Sequence, residues 1–177
     1  METVAIAHEC SRKTRHEFRA TMDEPYHFTA SGLPNVYLVG IRYFRCECAK
    51  ELADIPAIKG LLNFISRDLV EKDSSLSGGE IRFLRKRLGK KASDFAKQIG
   101  LEPETLSRIE NGHLQASERT DKFIRLYYAV ASKDPVLMGQ LQKDLDARLM
   151  RWQRVTLPPK KIVASVKDNE WQPVEAA

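Results

Sequence analysis

No apolar run in this sequence approaches the roughly 18 residues that a membrane-crossing helix needs. The first ten residues, METVAIAHEC, lack the basic start and long apolar stretch of a secretory leader. Both absences lead to the expectation of a cytoplasmic protein with no membrane partner. Cysteine is scarce. Cys10, Cys46 and Cys48 are the three present, an odd number that excludes a fully paired disulfide scaffold and points to reduced thiols or a metal site. No histidine, cysteine or serine stands in a recognisable catalytic spacing, and Asp94, Glu102, Glu104 and Glu110 each have a structural or recognition use, so no enzyme is expected.

What is present fits a soluble globular protein. Of the 177 residues, 42% are hydrophobic and 30% charged, enough for one compact domain or two small ones. The net charge of +5 favours an anionic partner only weakly, and its distribution is more telling. From Arg82 to Lys91 there are six basic residues and no acidic one. A solvated helix face explains such a run as well as a phosphate-facing one does, until its neighbour is considered.

That neighbour is the stretch 78–112, GGEIRFLRKRLGKKASDFAKQIGLEPETLSRIENG. Ile81, Leu84 and Leu88 share one face of a first helix ending near Gly89. Phe95, Ala96 and Ile99 do the same over about 92–99, and Leu106 with Ile109 over about 103–110. Ala96 is small where crossing helices approach closely. Gly100 can take the positive φ that ends one helix, and Pro103 suits the first turn of the next. Helices so spaced pack at a steep angle, as a helix-turn-helix requires. Ser77 with Glu80 forms a capping-box pattern, and Gly112 is a C′ glycine. A further helix over about 117–131 is expected to cover the core with Phe123, Ile124, Tyr127 and Val130.

The flanks differ in kind, so the fold class expected is α+β. Residues 1–70 form a β-rich module. Tyr26–Thr29 and Val36–Arg45 are strand-like around the turn formers of SGLPN; ELADIP is a loop; Ile58, Leu61, Leu62, Ile65 and Leu69 recur at helical spacing. A module so thin in apolar residues suits a staple, and zinc held by His8, Cys10, Cys46 and Cys48 is the candidate. Residues 71–76 are a polar linker, 77–131 the helix-turn-helix domain, and 132–177 a C-terminal amphipathic helix and tail. Leu137, Leu141, Leu145, Leu149 and Trp152 line that helix, either on its own bundle or at a dimer contact. The tail carries a β-like stretch, Ile162–Val166, and Trp171, which is expected to dock.

In helix-turn-helix docking the N-terminal half of the second helix meets base edges. Pro103, Glu104, Ser107 and Arg108 are the outward positions, with Glu104, Ser107 and Arg108 as base contacts. Arg108 can donate twice to guanine O6 and N7, and Glu104 can accept from cytosine N4 or orient Arg108. Lys90, Lys91, Ser93 and Asn111 fall where phosphates pass. Arg85 and Glu110 are expected to meet as a largely buried pair orienting the first and third helices.

The segments FLRKRLG, FAKQIGL and LSRIENG resemble the lambda-repressor-like (Xre) helix-turn-helix family over about 78–130. That resemblance implies an arginine–glutamate pair at Arg85 and Glu110, base contacts from Glu104 and Arg108, and backbone contacts from Lys91, Ser93 and Asn111. Over about 7–130 the chain is also similar to the MqsA (YgiT)-type antitoxins, through Tyr26, Ser31–Val36, Leu38, Gly40–Ile41, Cys46, Ile55–Pro56 and Gly78–Gly89. Those proteins join a zinc-binding N-terminal module to an Xre-like domain, typically with two C-x-x-C pairs. Here Ala7 stands where the first cysteine would fall, and one residue separates Cys46 from Cys48. The resemblance implies a repressor that binds double-stranded operator DNA as a homodimer and binds a toxin through its N-terminal module. The alternative is a protein-interaction module whose helix-turn-helix no longer binds DNA, against which the basic run and Arg108 speak.

Overall fold

Why the chain forms both sheets and helices is visible in a computed structural model, which describes residues 15–46, 51–151 and 160–174. The described residues fall into two units, one drawn from 1–28, 36–62 and 161–177, the other from 29–35 and 63–160.

In the first unit the strands are β1 (Arg15–Arg19), β2 (Tyr26–His27), β3 (Val36–Val39), β4 (Arg42–Cys46), β5 (Glu51–Asp54), β6 (Ile162–Lys167) and β7 (Glu170–Pro173). They make two small sheets. One has the order β1-β4-β5 with antiparallel neighbours, and the other β2-β3-β6-β7. Phe18 sits opposite Tyr43 in the first, their rings stacked at 5.4 Å, and the Arg45 guanidinium lies 5.1 Å over Phe18. In the second sheet, Val36 and Leu38 of β3 are buried, as are Ile162, Val163 and Ala164 of β6.

Three features of this unit correct or extend the sequence reading. Residues 36–45 are not one strand. Gly40, at φ +78°, turns the chain between β3 and β4, which belong to different sheets; only glycine takes that conformation without strain. ELADIP is not all loop, because Glu51–Asp54 pairs with β4. The tail, whose docking place the sequence left open, belongs to this unit. β6 lies parallel to β3, with Val36 opposite Ile162, and β7 turns back antiparallel on β6. Trp171 docks in this unit, its indole Nε1 donating to the Pro56 carbonyl at 3.1 Å.

The helices are α1 (Ile58–Glu71), α2 (Gly78–Arg87), α3 (Ala92–Gln98), α4 (Pro103–Glu110), α5 (Glu118–Ala131) and α6 (Pro135–Arg151), with α1 entering the second unit at residue 63. Ile65 and Leu69 of α1 are buried. So are Ile81, Leu84, Phe95, Ala96, Leu106 and Ile109 of the next three helices. The face that α5 buries differs from expectation. Ile124, Tyr128 and Ala129 are buried together with Asp121 and Arg125, while Phe123 and Val130 are exposed. The inward stripe carries a charged pair, so hydrophobicity alone points to the wrong face.

That pair also explains the segment 71–76. Arg125 Nε donates to Asp121 Oδ2 at 2.8 Å. Its other nitrogens donate to the carbonyls of Leu69, Val70, Lys72 and Ser74. Asp121 Oδ1 accepts from the Leu76 N–H at 2.6 Å. Buried backbone groups need partners, and here one side chain supplies them. Polar composition suggests a linker, whereas this segment is pinned to α5.

Along α6, Leu137 and Leu141 are buried, but Leu145 is 42% and Met150 75% exposed. The first two leucines of the stripe therefore pack within the unit, while Leu145 is exposed and Leu149 half-buried. Trp152 and residues 157–159 lie outside the described residues.

Candidate nucleic-acid interface

The interface is built from the start of α2 upward. Ser77 caps α2 by accepting from the Glu80 N–H at 3.4 Å, and Glu80 Oε2 accepts in return from the Ser77 N–H at 2.6 Å. Lys72 Nζ pairs with the same buried carboxylate at 2.7 Å. This fixes the first turn of α2. Gly78 in that turn lies against the last turn of α4, where a Cβ would overlap the Ile109 carbonyl oxygen.

From there α2 grips α4 with two arginines three residues apart, on one face of the helix. Arg85 Nε donates to Glu110 Oε1 at 2.6 Å and Nη2 to Oε2 at 2.8 Å, while Nη1 donates to the Lys90 carbonyl at 2.8 Å. Both partners are buried. Hydrogen bonding to the Glu110 carboxylate raises the Arg85 pKa above its ordinary value, against the opposing effect of burial. Arg82, one turn earlier, donates to Glu110 Oε2 at 3.3 Å and to Asn111 Oδ1 at 2.6 Å. Counting basic residues places Arg82 in the phosphate-facing run. Its position three residues before Arg85 was the available signal that it shares the same carboxylate.

α3 and α4 meet at the turn that Gly100 makes at φ +71°, where the Leu101 N–H bonds back to the Ala96 carbonyl at 2.9 Å. Pro103 opens α4, and Gly112, at φ +77°, closes it. Tyr127 on α5 ties to α3 by donating to Gln98 Oε1 at 2.6 Å, a contact that pattern reading missed. With Leu106, Ile109 and Glu110 buried, α4 leaves Glu104, Ser107 and Arg108 exposed. These three share the outer side of one short helix.

Of the residues assigned to phosphates, Lys91 is the exposed N-cap residue of α3 and Ser93 is exposed beside Asp94. Lys90 is half-buried, with its carbonyl held by Arg85. Asn111 is exposed at the end of α4, its side-chain amide held between Arg82 on one side and the Ser107 carbonyl on the other (Nδ2 to O, 2.8 Å). Of the zinc candidates, Cys46 is buried at the end of β4, and His8, Cys10 and Cys48 lie outside the described residues.

A helix-turn-helix family model matches residues 81–120, from α2 through the start of α5. This part of the chain is a helix-turn-helix domain. The match supports an Xre-like, DNA-binding transcriptional regulator, and domains of this family are regulatory rather than enzymatic. No curated protein and no solved structure matches the chain. No described helix is long and apolar enough to cross a membrane.

Proposed function

We propose that this protein is a repressor of antitoxin type that reads a specific operator through α4. The observation that carries the reading is the division of α4 into a buried side clamped by α2 and an exposed side bearing Glu104, Ser107 and Arg108. A helix held at one end by buried charge pairs enters the major groove with little freedom to lose. Arg108 then donates to guanine O6 and N7, and Glu104 accepts from a neighbouring cytosine or steadies Arg108. Lys90, Lys91 and Ser93 face the phosphates beside the groove. The protein binds as a homodimer, because a single short recognition helix covers one half-site. The first unit binds the toxin, with zinc held by His8, Cys10, Cys46 and Cys48.

Selection from a randomised duplex library tests the DNA reading. An enriched site is expected, with Arg108→Ala losing roughly 1–3 kcal/mol of discrimination at one base pair. Selection without enrichment removes the reading, and an unchanged preference in the variant removes the assignment of Arg108. Metal analysis of the purified protein decides the zinc proposal, with about one equivalent per chain expected for a four-ligand site. Co-purification with the product of an adjacent small reading frame supports the toxin partner, and growth unaffected by that product alone argues against it.

A further inference from the structure

The hydrogen bonds around Asn111 run in one direction, and that direction has a consequence for what Ser107 can read. A guanidinium only donates. Arg82 Nη2 lies 2.6 Å from Asn111 Oδ1, so the amide is oriented with its oxygen toward Arg82. Its NH2 group is thereby turned toward Ser107. There Nδ2 donates to the Ser107 carbonyl at 2.8 Å and reaches Ser107 Oγ at 3.4 Å. The Ser107 hydroxyl receives a donor from behind, which leaves its own proton free to point outward from the exposed side of α4.

We infer that Arg82 is a positioning residue which, through Asn111, occupies one lone pair of the Ser107 hydroxyl and leaves its proton free, so that Ser107 favours an acceptor on the base edge. Purine N7, guanine O6 and thymine O4 are the acceptors of the major groove that this proton can meet, whereas the amino groups of cytosine and adenine are left with one lone pair instead of two. Arg108, adjacent on the helix, also only donates. The two side chains together favour an acceptor-rich step. Arg82 shares the Glu110 carboxylate with Arg85, so its anchor does not depend on DNA. The inference rests on the operator-reading role proposed above.

The test separates this role from a phosphate contact. Arg82→Met, Asn111→Ala and Ser107→Ala are compared with wild type on the selected site and its single-base variants over a range of salt. Arg82→Met is expected to keep the wild-type salt slope and to lose discrimination, on the order of tenfold, at the same base pair as Ser107→Ala. A slope shallower by about 0.9 with base preference intact would make Arg82 a phosphate contact and overturn the inference. The free protein supplies a second readout. In 15N spectra, Arg82→Met is expected to shift the Asn111 side-chain amide pair and the Ser107 N–H, while Arg85, still paired with Glu110, keeps the fold. Unshifted signals overturn the relay whatever the protein does with DNA. If wild type shows no sequence preference but the signals shift, the relay stands and the operator reading fails.

Discussion

The Ile109 carbonyl oxygen lies so close to Gly78 that there is no room for a Cβ between the start of α2 and the last turn of α4. The contact joins the first helix of the domain to α4 at backbone level, where neither side can move aside as a flexible side chain would.

Gly78→Ala is therefore expected to destabilise the protein by about 1–3 kcal/mol, as overpacking does. Gly79, the next residue, has open space around a built Cβ. Gly79→Ala is expected to be neutral or to stabilise by up to about 1 kcal/mol. Denaturant unfolding of both variants checks the contrast, and equal effects would show that the close approach is not what Gly78 supplies.

Arg125 is fully buried, with Asp121 one turn before it and four carbonyls of residues 69–74 around its guanidinium. Burial lowers its pKa from the ordinary value, opposed by the charge of Asp121. Arg125→Met leaves the buried Asp121 carboxylate without its cation and several carbonyls without donors, and a loss of roughly 3–5 kcal/mol is expected. Asp121→Asn in the same background should cost far less than it does alone, because the two positions are coupled. A double variant equal to the sum of its singles would contradict the pairing.

Lys91 tests the phosphate side of the interface. Lys91→Ala is expected to weaken binding to all sequences alike and to reduce the slope of log affinity against log salt by about 0.9. The ranking of base variants should not change. A wild-type slope in the variant places Lys91 away from the phosphates.

Asp134 accepts from the N–H groups of Val136 and Leu137 and from Arg67 Nε at 2.9 Å. Burial pushes its carboxyl up, but the Arg67 guanidinium and the two N–H groups outweigh that, and its pKa is depressed. A group whose folded pKa lies below its unfolded one stabilises the protein at neutral pH and loses that contribution as pH falls through the folded value. The stability gap between wild type and Asp134→Asn should thus be full at neutral pH and shrink below about pH 4. A gap that stays constant down to pH 2.5 argues against the ionised carboxylate as its source.

How far the sequence could be read depended on how local each signal was. The helices of 77–131 follow from residues within one or two turns of each other. Ser77 and Glu80 cap, Gly100 turns, Pro103 opens and Gly112 closes, and the structure sets α2 to α5 within a residue or two of those marks. α5 shows where the method fails. Phe123 and Val130 are apolar and Arg125 is charged, yet the charged residue is the one inside. Its acceptors are backbone carbonyls more than fifty positions away, and no pattern within the helix records them.

The same limit applies to the first unit. β-propensity marked Val36–Arg45 and Ile162–Val166 as strand-like, but nothing in either stretch tells that β3 and β6 lie side by side. Parallel pairing of segments so distant depends on the chain between them having folded. The exposure of Ser107, Arg108 and Glu104 was legible because a helix exposes residues at fixed intervals once its buried side is known. The hydrogen bond from Arg82 to Asn111 was not. Both are polar residues in a basic neighbourhood, and only the crossing of α2 over the end of α4 brings them within hydrogen-bond distance of each other. The sequence by itself determined the local periods, caps and turns, because these depend on neighbours along the chain. The tertiary structure decided which polar side chains hold α4 and which are left exposed on it, because that choice depends on groups brought together from different helices.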